Sequence, residues 1–206
     1  MKIIDISWPI TEKITEYKNK GTVKFNHFAI YQNRGFEEST ICFGTHTGTH
    51  IDAPRHFIED GNTIDQLPLE KFMGPCLVLD LTHVEEKITK EGLEKFAIKP
   101  GQIILLKTKN SLLEANAQFE PNFIYLDTSG AEYLASLNVK LVGIDYLGIE
   151  RNQPEHTTHK ALLSKDIPII EGLRLKDIIP KEYTFICLPL KLENLEAAPC
   201  RCILIE

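Results

Sequence analysis

The run Gln102-Ile103-Ile104-Leu105-Leu106-Lys107 is the clearest fold signal in the chain. Four apolar residues follow one another between two polar ones, a pattern typical of a strand that is covered on both faces. Residues 76–81, Cys-Leu-Val-Leu-Asp-Leu, have a similar character. These two runs therefore predict strands at the centre of a core with packing layers on either side.

Further β-rich runs flank these two, and short helical patterns lie between them. The additional predicted strands cover residues 2–7, 23–31, 39–43, 141–145, 184–189 and 201–205. Helices are predicted at residues 128–137, 160–164 and 173–178, and a short one begins after Thr89, a suitable N-cap residue. Because the strands outnumber the helices and do not strictly alternate with them, the sequence predicts a mixed α/β fold and not a regular doubly wound sheet.

Length and charge narrow the class of protein. The chain has 206 residues, 43% of them hydrophobic and 25% charged, which fits a single domain covering residues 1–206. The formal net charge of −6 argues against nucleic acid or an anionic membrane as a partner. No apolar window of ~18 residues suits a membrane span, and Asp5 comes too early for a signal peptide. We therefore expect a cytoplasmic protein.

The cysteines show neither a disulfide framework nor a zinc-ribbon spacing. There are five of them, an odd number, and no Cys-x-x-Cys occurs. Cys200 and Cys202 alternate along a predicted strand and should share one face of it. We expect buried free thiols at all five positions, which are Cys42, Cys76, Cys187, Cys200 and Cys202.

One segment concentrates side chains that carry chemistry. It reads Thr45-His46-Thr47-Gly48-Thr49-His50-Ile51-Asp52-Ala53-Pro54-Arg55-His56 and holds three of the seven histidines. Gly48, Pro54 and several β-branched residues disfavour a helix here. We expect an irregular loop that follows the strand ending near Phe43, since loops placed by a rigid sheet commonly carry sites.

The residue types of this segment suit a divalent metal. Neutral imidazole nitrogens and carboxylate oxygens are both good ligands for Zn²⁺ and Mn²⁺. Asp52 has two oxygens and is able to bridge two ions ~3.5–4 Å apart. Four such polar groups in a loop rich in glycine and proline have no evident packing purpose.

A second and weaker cluster lies about a hundred residues further on. It comprises Glu155-His156-Thr157-Thr158-His159 and, later, Glu171. A surface turn explains this cluster unless a site nearby needs more ligands. His27 and His83 stand alone and are expected to have no special role.

The pattern of residues 46–56 resembles the signature of the cyclase-like metal-dependent hydrolases, the family of bacterial kynurenine formamidase and isatin hydrolase. The similarity extends along most of the chain. Asp5-Ile6-Ser7-Trp8-Pro9-Ile10 resembles the opening strand of the family, and Val142-Gly143-Ile144-Asp145 its central strand. His159 with Glu171 resembles its second metal segment, and Arg201-Cys202-Ile203-Leu204 its closing strand.

This resemblance implies a fold, a cofactor and an assembly. The fold would be an α/β domain with a mixed sheet, the swivelling β/β/α domain of the cyclase and kynurenine formamidase type, in a homodimer or homotetramer. One or two Zn²⁺ or Mn²⁺ ions per chain would bind, with Asp52 and Glu171 both able to bridge. The implied metal ligands are His46, His50, Asp52, His159 and Glu171.

The resemblance also implies a reaction and a catalytic residue. A metal-bound hydroxide would attack a small-molecule substrate and cleave the C–N bond of an amide, a cyclic amide or an arylformamide. His56 would be the acid/base, with a pKa near its ordinary ~6.5. The spacing to Glu171 favours His159 over His156 as the ligand, so His156 is expected to lie in an ordinary surface turn.

One departure from the family concerns the substrate. Kynurenine formamidases resemble one another in a Trp-Pro-Gly-Asp stretch after the opening strand, and here Tyr17-Lys18-Asn19-Lys20 stands in its place. Tyr17 keeps an aromatic ring and is expected to contact substrate. Lys18 and Lys20 are either solvated surface residues, or one of them meets an anionic group of the substrate. This departure argues against formylkynurenine as the substrate, but it does not touch the residues that would bind the metal.

Three alternative functions remain open at this level. The first is kynurenine formamidase proper, which converts N-formylkynurenine to kynurenine and formate. The second is a metal-binding protein without turnover, for example a sensor or storage module, although His56 is then superfluous. The third is an oxygen-using iron or manganese enzyme with two histidines and one carboxylate, which is disfavoured because cupin enzymes space their ligands differently.

Overall fold

The computed structural model describes residues 1–206. Its strands are β1 (Ile3–Asp5), β2 (Lys24–Ala29), β3 (Glu38–Cys42), β4 (His50–Asp52), β5 (Met73–Asp80), β6 (Lys87–Ile88), β7 (Ile103–Lys107), β8 (Tyr125–Leu126), β9 (Leu141–Ile144), β10 (Ile169–Glu171), β11 (Glu182–Pro189) and β12 (Ala197–Ile205). The α-helices are α1 (Tyr31–Arg34), α2 (Lys90–Leu93), α3 (Thr128–Ser136) and α4 (Thr157–Leu163). Short 3-10 helices cover Tyr17–Asn19, Pro54–His56, Ile64–Gln66, Leu69–Phe72 and Lys109–Leu112.

Eight strands form a mixed sheet that closes on itself. The strand order is β1-β12-β11-β5-β7-β9-β10-β4, and β4 also pairs with β12. Strands β5, β7, β9 and β10 run parallel to their neighbours in the centre, whereas β1, β4, β11 and β12 make antiparallel pairs. The predicted mixed α/β fold is confirmed. The closure places β4 between β10 and β12, far from its neighbours in sequence.

The central strand β7 separates two apolar layers. Ile103 and Leu105 pack inside the closed sheet, whereas Ile104 and Leu106 pack on its outer side with Leu134 of α3. These four apolar side chains of β7 are fully buried, as the continuous apolar run predicted. Each such side chain contributes ~1.5–3 kcal/mol to folding by leaving water.

The helix predictions are confirmed in part. The Thr89 hydroxyl oxygen accepts a hydrogen bond from Gly92 N at 3.4 Å and caps α2. The helix expected at residues 173–178 is wrong. Leu173 instead bridges to Ser7, and Arg174 N donates to Ile6 O at 2.9 Å, so residues 173–174 run extended beside the segment that follows β1. Ile178 N then closes a turn on Leu175 O at 3.1 Å. No helix combines the length and apolarity that crossing a bilayer requires.

The expectation of a continuous loop after Phe43 is also wrong in part. His50–Asp52 form β4, and Pro54–His56 form a 3-10 helix. The β-branched residues of this segment not only disfavour a helix but also favour a strand, so that residues 50–52 join the sheet. Buried free thiols are confirmed at three positions, whereas Cys200 is partly exposed and Cys42 is exposed. Cys42 ends β3, whose five residues are all exposed.

Candidate metal centre

Strand β4 carries the first part of a buried polar cluster on the outer face of the closed sheet. His50 and Asp52 alternate with Ile51, which packs in the apolar core, so the two polar side chains share the opposite face. The antiparallel pairing with β10 places Glu171 directly across from His50. A carboxylate that lies more than a hundred positions away in sequence is thereby brought beside the first histidine.

Two histidines flank two carboxylates at the centre of this cluster. His50 Nε2 lies 3.6 Å from Asp52 Oδ1 and 3.5 Å from Glu171 Oε2. His159 Nε2, from α4, lies 3.7 Å from Asp52 Oδ2 and 3.5 Å from Glu171 Oε1. All four residues are buried. The histidine-rich segment at residues 46–56 and the later cluster with His159 and Glu171 therefore converge on one point.

His46 completes the cluster on its more exposed side. Its Nδ1 lies 2.8 Å from Asp52 Oδ1, and its Nε2 lies 3.3 Å from Glu196 Oε1. Glu196 also accepts a hydrogen bond of 2.6 Å from the Thr45 hydroxyl. Sequence reasoning missed Glu196, which has no neighbouring histidine in the chain to signal its position.

Several donor atoms of this cluster have no partner. His50 Nε2 and both Asp52 oxygens are buried without a hydrogen bond of good geometry, although Asp52 Oδ1 has the close contact with His46 Nδ1, and such groups are costly to leave unsatisfied. His50 Nδ1 donates to Gly48 O at 2.9 Å, so Nε2 faces the carboxylates and offers its lone pair to an ion when the imidazole is neutral. Imidazole and carboxylate donors directed at one point are the ligand set of a divalent cation. The residues therefore fit such an ion.

Two glycines allow the two halves of the cluster to approach. Gly48 and Gly172 both have positive φ, +61° and +75°. A Cβ on Gly172 would lie 2.3 Å from Gly48 O, so no side chain fits between these backbones. The close approach holds Glu171 next to the segment that carries His46 and His50.

Without an ion, the pKa values in the cluster are strongly coupled. Burial raises the pKa of Asp52, but His46 and His159 outweigh burial and lower it well below its usual range. Burial and Asp52 raise the pKa of Glu171, yet His159 and His50 lower it to about 2. Burial lowers the pKa of His50, but Glu171 and Asp52 raise it to about 9. Both carboxylates are thus ionised and ready to bind a cation.

Glu150 forms a second layer behind His159. Its Oε2 lies 3.0 Å from His159 Nδ1 and accepts from the His159 amide at 3.2 Å, while its Oε1 contacts His156 Nδ1 at 2.5 Å. A carboxylate behind a histidine fixes the orientation of the ring. Sequence reasoning missed Glu150. It also took His156 for an ordinary turn residue, whereas this exposed ring stacks on Phe57 at 4.3 Å and borders the cavity.

His56 stands beside the cluster at the end of a 3-10 helix. Its ring centroid lies 4.2 Å from that of His46 and 5.7 Å from that of His159. Burial lowers the pKa of His56 to about 4, with Asp52 opposing the shift only in part. The expectation of an ordinary pKa near 6.5 is therefore wrong. His56 is neutral at pH 7 and able to accept a proton.

A cavity of about 270 Å³ opens above these residues. The Tyr17–Asn19 turn forms part of its wall, with Lys18 and Asn19 in left-handed conformation at φ of 55° and 54°. Asn19 Oδ1 accepts from Phe119 N at 2.8 Å, and the Tyr17 ring packs on that of Phe119 at 4.9 Å. The lining residues are Tyr17, Lys18, Lys20, His46, His50, His56, Phe57, Leu147, Gly148, Glu150, His156, His159 and Glu171.

Not every histidine belongs to the site. His27 lies on β2 and contacts Ser39 Oγ at 2.6 Å on the neighbouring strand β3. His83 is exposed and does not line the cavity. Neither histidine contacts the cluster around Asp52, and that they have no special role stays a prediction.

Comparison with known sequences gives consistent matches. The pattern of the family described as "Putative cyclase" matches residues 4–151. Cyclase-like protein 3 of Oryza sativa subsp. japonica is 34% identical over 217 residues, covering 100% of this chain and 80% of that protein. Kynurenine formamidase of Bacillus anthracis is 29% identical over 208 residues and covers 98% of this chain and 97% of that protein.

Comparison with solved structures gives the same fold. A predicted metal-dependent hydrolase from Bacillus stearothermophilus is 44% identical and superposes with a TM-score of 0.88, covering 98% of this chain and 97% of that one. Isatin hydrolase A from Labrenzia aggregata is 23% identical, with a TM-score of 0.86 and coverage of 98% and 93%. At 23% identity, the similarity to isatin hydrolase A concerns the fold alone.

Proposed function

Because the chain belongs to the cyclase family of metal-dependent hydrolases and is a hydrolytic enzyme, we propose that it cleaves the C–N bond of an amide, a cyclic amide or an arylformamide. One observation carries this proposal. Buried, unpartnered donor atoms of His50 and Asp52 converge with Glu171 and His159 beside His56, an imidazole that is neutral at pH 7.

We assign the metal ligands by their positions in the cluster. His46, His50 and Asp52 would hold one ion, and Asp52, His159 and Glu171 a second, with Zn²⁺ or Mn²⁺ as the metal. Such ions supply Lewis acidity, which polarises a carbonyl oxygen and lowers the pKa of a water molecule. The mixed nitrogen and oxygen donor set suits both metals.

His56 is the residue that we assign to proton transfer. Its neutral imidazole accepts the proton of the attacking water and then donates it to the nitrogen that leaves the carbonyl carbon. We assign Glu150 to positioning His159, because Glu150 Oε2 lies 3.0 Å from His159 Nδ1 and a carboxylate behind a histidine ligand orients its ring. Phe57 and the ring of His46 pack against His56 at 4.1 Å and 4.2 Å and restrict its motion.

The cavity favours a small substrate. Its volume of about 270 Å³ lies near the lower end of ligand pockets, roughly 300–1,000 Å³, and suits a single ring with short substituents. Tyr17 would contact that ring. Lys18 and Lys20 both line the cavity, which supports the alternative that one of them meets an anionic group of the substrate.

A homodimer or homotetramer is part of the proposal. The β2–β3 hairpin and the turn between its strands expose five large apolar side chains, which is unusual for a surface without a partner. They are Phe28, Ile30, Tyr31, Phe36 and Ile41. Light scattering of the purified protein tests the assembly, and fractionation of cells that express it tests the proposed cytoplasmic location.

The direct test combines metal analysis with a hydrolysis panel. Elemental analysis precedes assays of the chelated and the Zn²⁺- or Mn²⁺-reconstituted protein on formylkynurenine, isatin, lactones and small formamides. We expect activity on an amide or formamide that chelation abolishes and metal restores. His56→Ala should remove turnover but keep metal binding, whereas His83→Ala, outside the cavity, should change neither. Activity that survives complete metal removal contradicts the proposal.

Kynurenine formamidase proper is the second candidate. It is supported by the Bacillus anthracis relative, which this chain matches over nearly its full length, and opposed by the lysines at residues 18 and 20. Preference for formylkynurenine over every other amide of the panel decides for it. A protein that binds metal and turns over no substrate of the panel would instead support a non-catalytic role.

A further inference from the structure

Three of the five cysteines form a cluster outside the proposed catalytic site. Cys187 lies on β11, and Cys200 and Cys202 lie on β12. The Sγ atoms of Cys187 and Cys202 are 2.7 Å apart, those of Cys200 and Cys202 are 3.8 Å apart, and all three lie within 4.8 Å of one another. Cys187 and Cys202 are fully buried, whereas Cys200 is partly exposed.

The backbone register favours a bond between the first pair. Cys187 is directly opposite Cys202 in the antiparallel ladder. The backbone N–H and C=O of Cys202 point away from β11. The N–H donates to Ser7 Oγ at 2.9 Å, and the carbonyl accepts from Ile6 N at 3.0 Å. The two cysteines therefore form a non-hydrogen-bonded pair, in which the Cα atoms are only ~4.5 Å apart. This separation lies within the range of disulfides, roughly 4.4–6.8 Å.

We propose that the thiol cluster is a redox site in which Cys187 and Cys202 form a reversible disulfide and Cys200 is the point of entry for the oxidant. The Cys187–Cys202 Sγ separation is shorter than that at which unbonded heavy atoms usually rest, roughly 3.5–4 Å between carbons. Buried thiols are normally inert for lack of access. The partly exposed Cys200, next to the pair, provides that access.

The oxidant is a low-molecular-weight disulfide. The Cys200 thiolate attacks one of its sulfurs, forms a mixed disulfide and releases one small thiolate. Cys202 then attacks Cys200 Sγ and releases the second small thiol. Cys187 attacks Cys202 Sγ, and the Cys200 thiol is regenerated. Two protein thiols lose two electrons and two protons, and the small disulfide is reduced to two thiols.

Strand β12 connects this cluster to the proposed metal site. Cys200 N donates to Thr49 O at 3.0 Å, and the preceding Pro199 pairs with His50. A bond between β11 and β12 restrains the strand that supports β4. We therefore expect the oxidised protein to unfold at a Tm several degrees higher than the reduced protein, as expected for closing a loop of this size.

The test counts thiols before and after oxidation. The full-length protein is reduced with dithiothreitol, desalted under nitrogen, treated with hydroxyethyl disulfide, then denatured and alkylated. Because the exposed Cys42 also exchanges with the small disulfide, the thiols are counted in Cys42→Ala, which keeps four of the five. We expect the free thiols of this variant to fall from four to two, with a loss of two hydrogen masses and a cross-linked peptide containing Cys187 and Cys202. Dithiothreitol should restore all four.

Variants distinguish this outcome from its competitors. Added to Cys42→Ala, the substitutions Cys187→Ala and Cys202→Ala should each abolish the cross-link, and Cys200→Ala should slow its formation at least tenfold with the same end point. The protein that keeps Cys42 should form the same cross-link. Four free thiols after treatment of Cys42→Ala, a mixed disulfide that stops at Cys200, or a link through Cys42 in the protein that keeps it would each overturn the proposal. So would a stoichiometric soft metal ion that all three thiols are needed to retain.

Discussion

The two halves of the candidate metal centre differ in how the chain delivers them. The first half lies within residues 46–56, where a short strand presents His50 and Asp52 on one face. The second half is dispersed: Glu150 follows β9, His159 lies on α4 and Glu171 ends β10. A contiguous ligand set is visible as a pattern in the sequence, whereas a dispersed one exists only after the sheet has closed. The comparison predicts that substitutions in the two halves have different consequences.

The largest effect is expected where the two halves share one residue. Asp52 is near His46, His50 and His159, so Asp52→Asn weakens both proposed ion positions at once. We expect kcat/KM to fall by roughly a thousandfold or more, equivalent to ~4 kcal/mol, with loss of metal by elemental analysis. Asp60→Asn, an exposed neighbour, is the matched control. Retained metal and near-normal turnover would show that Asp52 does not join the halves.

The metal-free protein allows a test through pH, because the coupled groups come from both halves. The pKa of His50 is raised from 6.5 to about 9, so its contribution to stability is complete below pH 6.5 and is lost as the pH rises to 9. The pKa of Glu171 is lowered from 4.5 to about 2, so its contribution is present above pH 4.5 and is lost on acidification. We expect the Tm of chelated protein to be highest between these limits.

On the alkaline side, the loss should reach at most about 3 kcal/mol, or several degrees in Tm. Metal-loaded protein should not show that loss, because metal ligation requires the deprotonated imidazole and strengthens with pH. Calorimetry of both forms from pH 6 to pH 9 provides the measurement. Identical pH profiles for the two forms would mean that His50 does not bind the ion.

A smaller effect is expected in the dispersed half alone. Glu150→Gln removes the charge behind His159 but keeps its shape, and we expect metal affinity or kcat to fall by ~10–100-fold. Glu155→Gln, a few residues away and exposed, should be neutral. A positioning role further predicts that the variant recovers part of its activity at saturating metal. If Glu150→Gln matched the control, the second layer would have no influence on the site.

The smallest effect concerns the wall of the cavity. Replacing Lys18 and Lys20 together by Met should raise KM for a carboxylate-bearing amide about two- to fivefold, because exposed charges contribute only ~0.2–1 kcal/mol each. KM for the uncharged analogue should be unchanged, and 0.5 M salt should reduce the difference. Lys13→Met provides the control. Equal KM changes for both substrates would assign the two lysines to the solvated surface.

The same contrast explains what could be predicted from the sequence. Both β7 and β4 could be predicted from short stretches of sequence. The apolar run of β7 indicates a strand buried on both faces, and the spacing of the histidines and the aspartate around β4 indicates a ligand set. Glu150 and Glu196 carry no such pattern, since each acquires its partner through tertiary contacts. The extended segment after Gly172 was mistaken for a helix because its neighbour, the first strand, is more than 160 residues earlier.

Closure of the sheet through β4 has a consequence for folding during synthesis of the protein. The strand at residues 50–52 lies between β10 and β12, and both of these partners follow it in the chain by more than a hundred residues. Pairings so distant in sequence form late and slowly. The ligands on β4 therefore stay exposed during synthesis until β10 and β12 have been made, and the cofactor is bound only after both strands have paired with β4.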